Sequence, residues 1–103
     1  MFVAAKRDWT EARAKVEEEG DCRVCGAPGP DAAHLIPRSR IRSGPGEQPL
    51  NIVPLCRAHH TAFDAHQLDL LPYLTLSEQG YAASLVGLAE AMRRICGREQ
   101  MGD

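Results

Sequence analysis

Aromatic side chains, net charge and long apolar runs are all scarce in this chain. One Trp, two Tyr and two Phe make up 5% of its 103 residues, so a single modest core is all it can bury. No apolar run approaches the roughly 20 residues of a membrane span. Residues 1–10 are amphipathic and charged and lack the continuous apolar segment of a secretory leader. We therefore expect a soluble, cytoplasmic protein with no membrane partner. The formal net charge of −2 argues against a generic nucleic-acid coat. Its distribution is uneven, with Glu17, Glu18 and Glu19 in one block and Arg38, Arg40 and Arg42 close together in another. A local basic stripe of that kind can still neutralise phosphates. Internal repeats and low-complexity segments are also missing.

The pattern fits one domain spanning residues 1–103. Asp8 to Glu19 reads as a helix, with Asp8 and Glu11 as a capping pair and Trp9, Ala12 and Val16 turned to the core. Asp21 to Pro30 is a turn-rich knuckle. Ala32 to Ile36 and Asn51 to Leu55 are short strands, the second interrupted by Pro54, with a Gly- and Pro-containing loop from Arg38 to Leu50 between them. Arg57 to Asp64 is helical. Leu68 to Leu76 is an apolar stretch broken by Pro72, and Gly80 to Cys96 reads as one longer helix with Leu85, Leu88, Ala89, Met92 and Ile95 on a stripe. The core then covers about residues 20–66 and a helical extension about 67–97.

Four cysteines without a leader are metal ligands before they are disulfides. Cys22-x-x-Cys25 offers two thiolates from one turn, and Cys56-x-x-His59 offers a thiolate and an imidazole from another. The thirty residues between Cys25 and Cys56 let a hairpin leave and return. Two such halves close a tetrahedron round a structural Zn2+. His60 follows His59 directly, so either ring can be the fourth ligand. A redox Cys-x-x-Cys fits poorly, because no strand and helix alternation surrounds it. Cys96 stands apart.

Between the halves of this clamp lie His34 and Asn51, and the second half runs into His60. An imidazole with an ordinary pKa near neutrality can accept a proton from water. Asp64, four residues after His60, shares its helix face.

The strings Ala-Ala-His34-Leu-Ile-Pro-Arg-Ser and Asn51-Ile-Val-Pro-Leu-Cys56-Arg-Ala-His59-His60 resemble the HNH nuclease superfamily, and within it the small zinc-stapled endonucleases of bacteriophages and mobile elements. The likeness runs from about Trp9 to Asp64. It implies an α+β fold, a ββα-metal (His-Me finger) core with a zinc knuckle, flanked by an N-terminal and a C-terminal helix. It also implies a metal-dependent DNA endonuclease leaving 5′-phosphate and 3′-hydroxyl ends. His34 takes the place of the general base, His60 that of a ligand to a catalytic divalent ion, magnesium or manganese with nickel or zinc as alternatives. Asn51 supports the hairpin, and Asp64 either binds that ion or orients His60.

Arg38, Arg40, Arg42 and Arg57 are the candidate DNA contacts. A phage terminase or another delivery protein is the candidate partner. One departure bears on the activity. Ala33 stands where many members carry a His or Asp ligand, and Asp31 is the nearest acidic substitute. The alternative reading is a zinc-knuckle nucleic-acid-binding module with little or no catalysis.

Overall fold

Ala12 and Val16, one turn apart, are the buried residues of the first helix, α1 (Thr10–Glu19), in a computed structural model that describes residues 9–41 and 48–97. The expected cap at Asp8 and the expected contact at Arg42 lie outside the described residues. After α1 the knuckle leads into strand β1 (Asp31–His34), which pairs antiparallel with β2 (Ile52–Leu55). Helix α2 (Arg57–Asp64) follows immediately, then α3 (Leu76–Val86) and α4 (Leu88–Cys96). The fold is α+β, with the hairpin and α2 forming the ββα unit.

Alternation along β1 decides what each face meets. Ala33, with Val53 and Leu55 from β2, joins Phe63 of α2 in the main core. Ala32 packs on the other side, against a smaller cluster of Ala12, Val16 and Ile52. Pro54 does not interrupt β2, where it sits opposite Ala32. Its carbonyl accepts a bond from Arg23 N at 2.8 Å, which docks the knuckle on the strand.

The long loop is also less irregular than expected, since single 3-10 turns form at Arg38–Arg40 and Pro49–Asn51. The single helix expected from Gly80 to Cys96 is instead two. Gly87, at φ 90° and ψ 154°, ends α3 and starts α4, a conformation open to glycine and strained for other residues. The break re-aims the expected stripe. Ala91 and Ile95 are buried, whereas Leu88 is 66% exposed and Ala89 is exposed. Helix α3 begins earlier than expected because Thr75 and Glu78 form a capping box.

Glu78 does more than cap. It is almost fully buried, and it receives Lys15 Nζ at 2.7 Å and Arg23 Nη1 and Nη2 at 2.8 and 3.0 Å. Burial pushes this carboxyl up, but the Arg23 and Lys15 hydrogen bonds and the Thr75 amide outweigh it and bring it down to about 2. Lys15 also donates to the carbonyls of Pro49 and Ile52, both at 2.7 Å. One carboxylate thus ties α1, the knuckle and α3 together, and Lys15 carries the tie on to β2. Among the described residues no helix is long and apolar enough to cross a membrane.

Candidate metal centres and active site

The knuckle presents its thiols because its backbone closes on itself, Cys22 N donating to Ala27 O at 2.7 Å and Gly26 N to Cys22 O at 2.9 Å. Cys56 follows β2 as the N-cap of α2, so His59 comes one turn later. The ligand atoms of Cys22, Cys25, Cys56 and His59 all lie within 4.8 Å of one another. Cys22 Sγ is 3.7 Å and Cys56 Sγ 3.3 Å from His59 Nδ1, and Cys25 Sγ is 3.8 Å from Cys56 Sγ. Zinc bonds of about 2.0–2.3 Å in a tetrahedron set ligand separations of roughly 3.5–3.8 Å. The donor set and its spacing therefore fit a structural Zn2+, with His59 as the fourth donor.

The thiols respond to this crowding in opposite directions. Burial pushes Cys22 up, but the backbone amides of Cys56, Cys25 and Val24 and the His59 ring bring it down to about 6. At Cys25 the Ala27 amide pulls down, while burial and the thiols of Cys22 and Cys56 carry it above the ordinary range. Cys96 lies outside the cluster, and burial and Asp69 push its thiol up.

His60 faces away from the cluster and lies between two carboxylates. Asp31 Oδ2 is 3.0 Å from its Nδ1, and Asp64 Oδ2 is 3.5 Å from its Nε2. The His60 bond, and then the charge and bond of Arg57, hold Asp31 below the usual carboxylate range against partial burial. Asp31 is therefore an ionised acceptor, and Nδ1 of His60 must be the donor. Nε2 of His60 faces a second carboxylate, Asp64, at 3.5 Å, a separation that a shared proton or a cation can bridge. A hard divalent ion takes few protein ligands and several waters, so this pair fits one end of such a site. Among the described residues the zinc-type cluster is the one group of three or more such donors, and His60 with Asp64 offers two.

Asp64 is itself held, its Oδ1 accepting from Arg94 Nη2 at 2.9 Å. Arg94 lies over the Phe63 ring at 4.5 Å and donates from Nε to Leu35 O at 3.1 Å. Sequence reading missed Arg94, and no local signal could have found a partner thirty residues from Asp64.

Asn51 is fully buried. Its Oδ1 accepts from Ile36 N at 2.9 Å and its Nδ2 donates to Ile36 O at 3.0 Å. The side chain thus grips the backbone two residues beyond His34. His34 leaves β1 on the face opposite Asp31 and Ala33, and its ring meets Trp9 edge-on at 5.3 Å. The His34 Nε2 is closed to solvent. Asp31, His60 and Asp64 are therefore brought together, whereas His34 comes off the other face of the hairpin. Among the candidate DNA contacts, Arg57 Nε is 2.9 Å from Asp31 Oδ2, Arg40 pairs with Glu90, and Arg38 is exposed in the same 3-10 turn.

Residues 22–69 match the family model described as HNH endonuclease. No curated protein and no solved structure gives a match.

Proposed function

Residues 22–69 being an HNH endonuclease domain, we propose that the chain is a metal-dependent DNA endonuclease that hydrolyses phosphodiester bonds to 5′-phosphate and 3′-hydroxyl ends. Family membership supports phosphodiester hydrolysis and a nucleic-acid substrate. The observation that carries the reading further is the His60 Nε2 and Asp64 Oδ2 pair, an imidazole nitrogen and a carboxylate oxygen 3.5 Å apart on one face of α2. A divalent ion bound there supplies positive charge for the phosphate oxygens and the departing 3′ oxygen.

The remaining roles belong to the chain. The family pattern gives His34 the role of accepting the proton of the attacking water, a role that its ring, packed against Trp9 on the other face of the hairpin, must turn to perform, while Asn51 holds the backbone beyond it. Asp31 fixes the His60 tautomer through Nδ1. Cys22, Cys25, Cys56 and His59 hold a structural zinc that braces the knuckle against α2. Arg38 and Arg57 approach phosphates on the flanks, and the net charge of −2 favours delivery of the DNA by a partner such as a terminase.

Two observations favour a second reading, a zinc-knuckle module that binds DNA without cutting it. Ala33 is buried where a ligand would stand, and the His34 ring is packed against Trp9. Plasmid cleavage with magnesium or manganese separates the two. The nuclease reading expects cutting by the parent, loss of cutting in both His34→Ala and His60→Ala, and parental melting temperatures for both variants. DNA retention by a parent that leaves the plasmid intact would establish the module. Cutting that survives His34→Ala would move water activation to another group.

A further inference from the structure

Helix α4 lies beyond residues 22–69, yet it is fixed to them. Gly97, at φ 80°, ends the helix against the exit of α2, where a Cβ would meet His66 O at 3.1 Å and Leu68 O at 3.3 Å. Leu70 N donates to Ile95 O at 2.9 Å, and Arg94 Nε to Leu35 O at 3.1 Å. Between α4 and the domain is a cavity of about 200 Å³, lined by Ile36, Pro37, Arg40, His66, Arg93 and Arg94, with Glu90 among them.

Its charge runs against that of the chain. Three guanidiniums share this lining with one carboxylate, in a protein of net charge −2. Glu90 divides its two oxygens, Oε2 going to Arg40 and Oε1 to Arg93 Nη1 at 3.3 Å. Among the described residues neither arginine has a carboxylate to itself. Their side chains are 58% and 62% exposed and can turn toward a ligand. Arg94, only 12% exposed, is held in the wall, and its Asp64 bond connects the groove with the His60 centre. A concave site with surplus fixed and mobile guanidinium charge, next to a phosphodiester-cutting centre, suits an anion carried on the same strand.

We propose that this groove is a DNA backbone-phosphate site, gripped by Arg40 and Arg93 and walled by Arg94, with Glu90 holding the two mobile arginines until the phosphate replaces it. The inference rests on the DNA reading above, and it adds α4 to the DNA-binding surface.

The test is binding of a short fluorescein-labelled duplex over a range of salt concentrations, with calcium replacing magnesium. Losing one phosphate contact should lower the slope of log affinity against log salt by about 0.9. We expect that loss in the Arg40→Ala/Arg93→Ala double variant, together with several-fold weaker binding at low salt. Glu90→Gln should bind more tightly than the parent, an outcome that damage to the fold would not produce. A parental slope in the double variant, or weaker binding by Glu90→Gln, would overturn the groove. If the parent cuts plasmid while the double variant keeps the parental slope, the groove fails and the nuclease survives. A lowered slope in a chain that cuts nothing supports the groove and removes the nuclease. Tighter binding of duplex RNA with the same arginine dependence would overturn DNA as the ligand.

Discussion

Asp31 Oδ2 lies 3.0 Å from Nδ1 of His60 and 2.9 Å from Nε of Arg57, so one carboxylate at the start of β1 restrains two side chains of α2. Ala33 shares its strand face but is buried against the main core, where an ionised ligand would be costly. Two residues earlier, Asp31 is half-buried and can stay charged. On the proposed function, Asp31 orients the ring that would bind the ion. Asp31→Asn should therefore reduce plasmid cleavage by about 10–100-fold, as loss of a ligand-orienting partner does. The required magnesium concentration should rise, with zinc content at the parental level. Metal titration of cleavage, with elemental analysis of the same samples, checks both.

The Cys56 thiol is 3.3 Å from His59 Nδ1 and 3.8 Å from Cys25 Sγ, so it touches both halves of the clamp. Cys56→Ser should lose bound zinc and lower Tm by at least about 10 °C. Stripping zinc from the parent with a strong chelator should reproduce that fall. A variant melting with the parent would remove the staple from the account.

Glu78 supplies a pH dependence. Its folded carboxyl is lowered to about 2, so its contribution to stability is complete above the ordinary glutamate range and fades as pH falls toward 2. The shift corresponds to roughly 3 kcal/mol. Glu78→Gln should cost about that much at pH 7, and the gap between parent and variant should close on acidification. Urea unfolding at pH 7, 4 and 2.5 follows the gap directly. A gap that stays constant with pH would contradict the ion-pair origin.

Asn51 offers the third stability test. Asn51→Ala leaves the N–H and C=O of Ile36 without the side-chain partners that they have in the buried hairpin. The loss should be about 2–4 kcal/mol, read by denaturant midpoint. Cleavage should fall further than stability does, because His34 lies two residues from the released backbone.

What the sequence discloses is local. The two ligand pairs are legible because each closes within four residues, and α2 is legible because it starts at one of those ligands and keeps an even helical spacing. The hairpin follows from two short apolar segments round a loop. The break at Gly87 is not legible in the same way, since a glycine between helical stripes is tolerated as often as it breaks them. The capping box at Thr75 and Glu78 was a readable signal that pattern alone did not single out. The meeting of Lys15 and Arg23 with Glu78 joins residues 63 and 55 positions apart, and such pairings are set by packing. The same holds for Arg94 with Asp64, and for Trp9 with His34.

The Glu78 hub constrains how the protein can be dissected. A fragment trimmed to residues 22–69 would retain Arg23 but lose Glu19 and Glu78, the two carboxylates that neutralise it. Ala32 and Ile52 would be uncovered by removal of α1, and Asp64 would be released by removal of Arg94. The shortest autonomous version of this protein therefore has to begin before its family segment and end well after it.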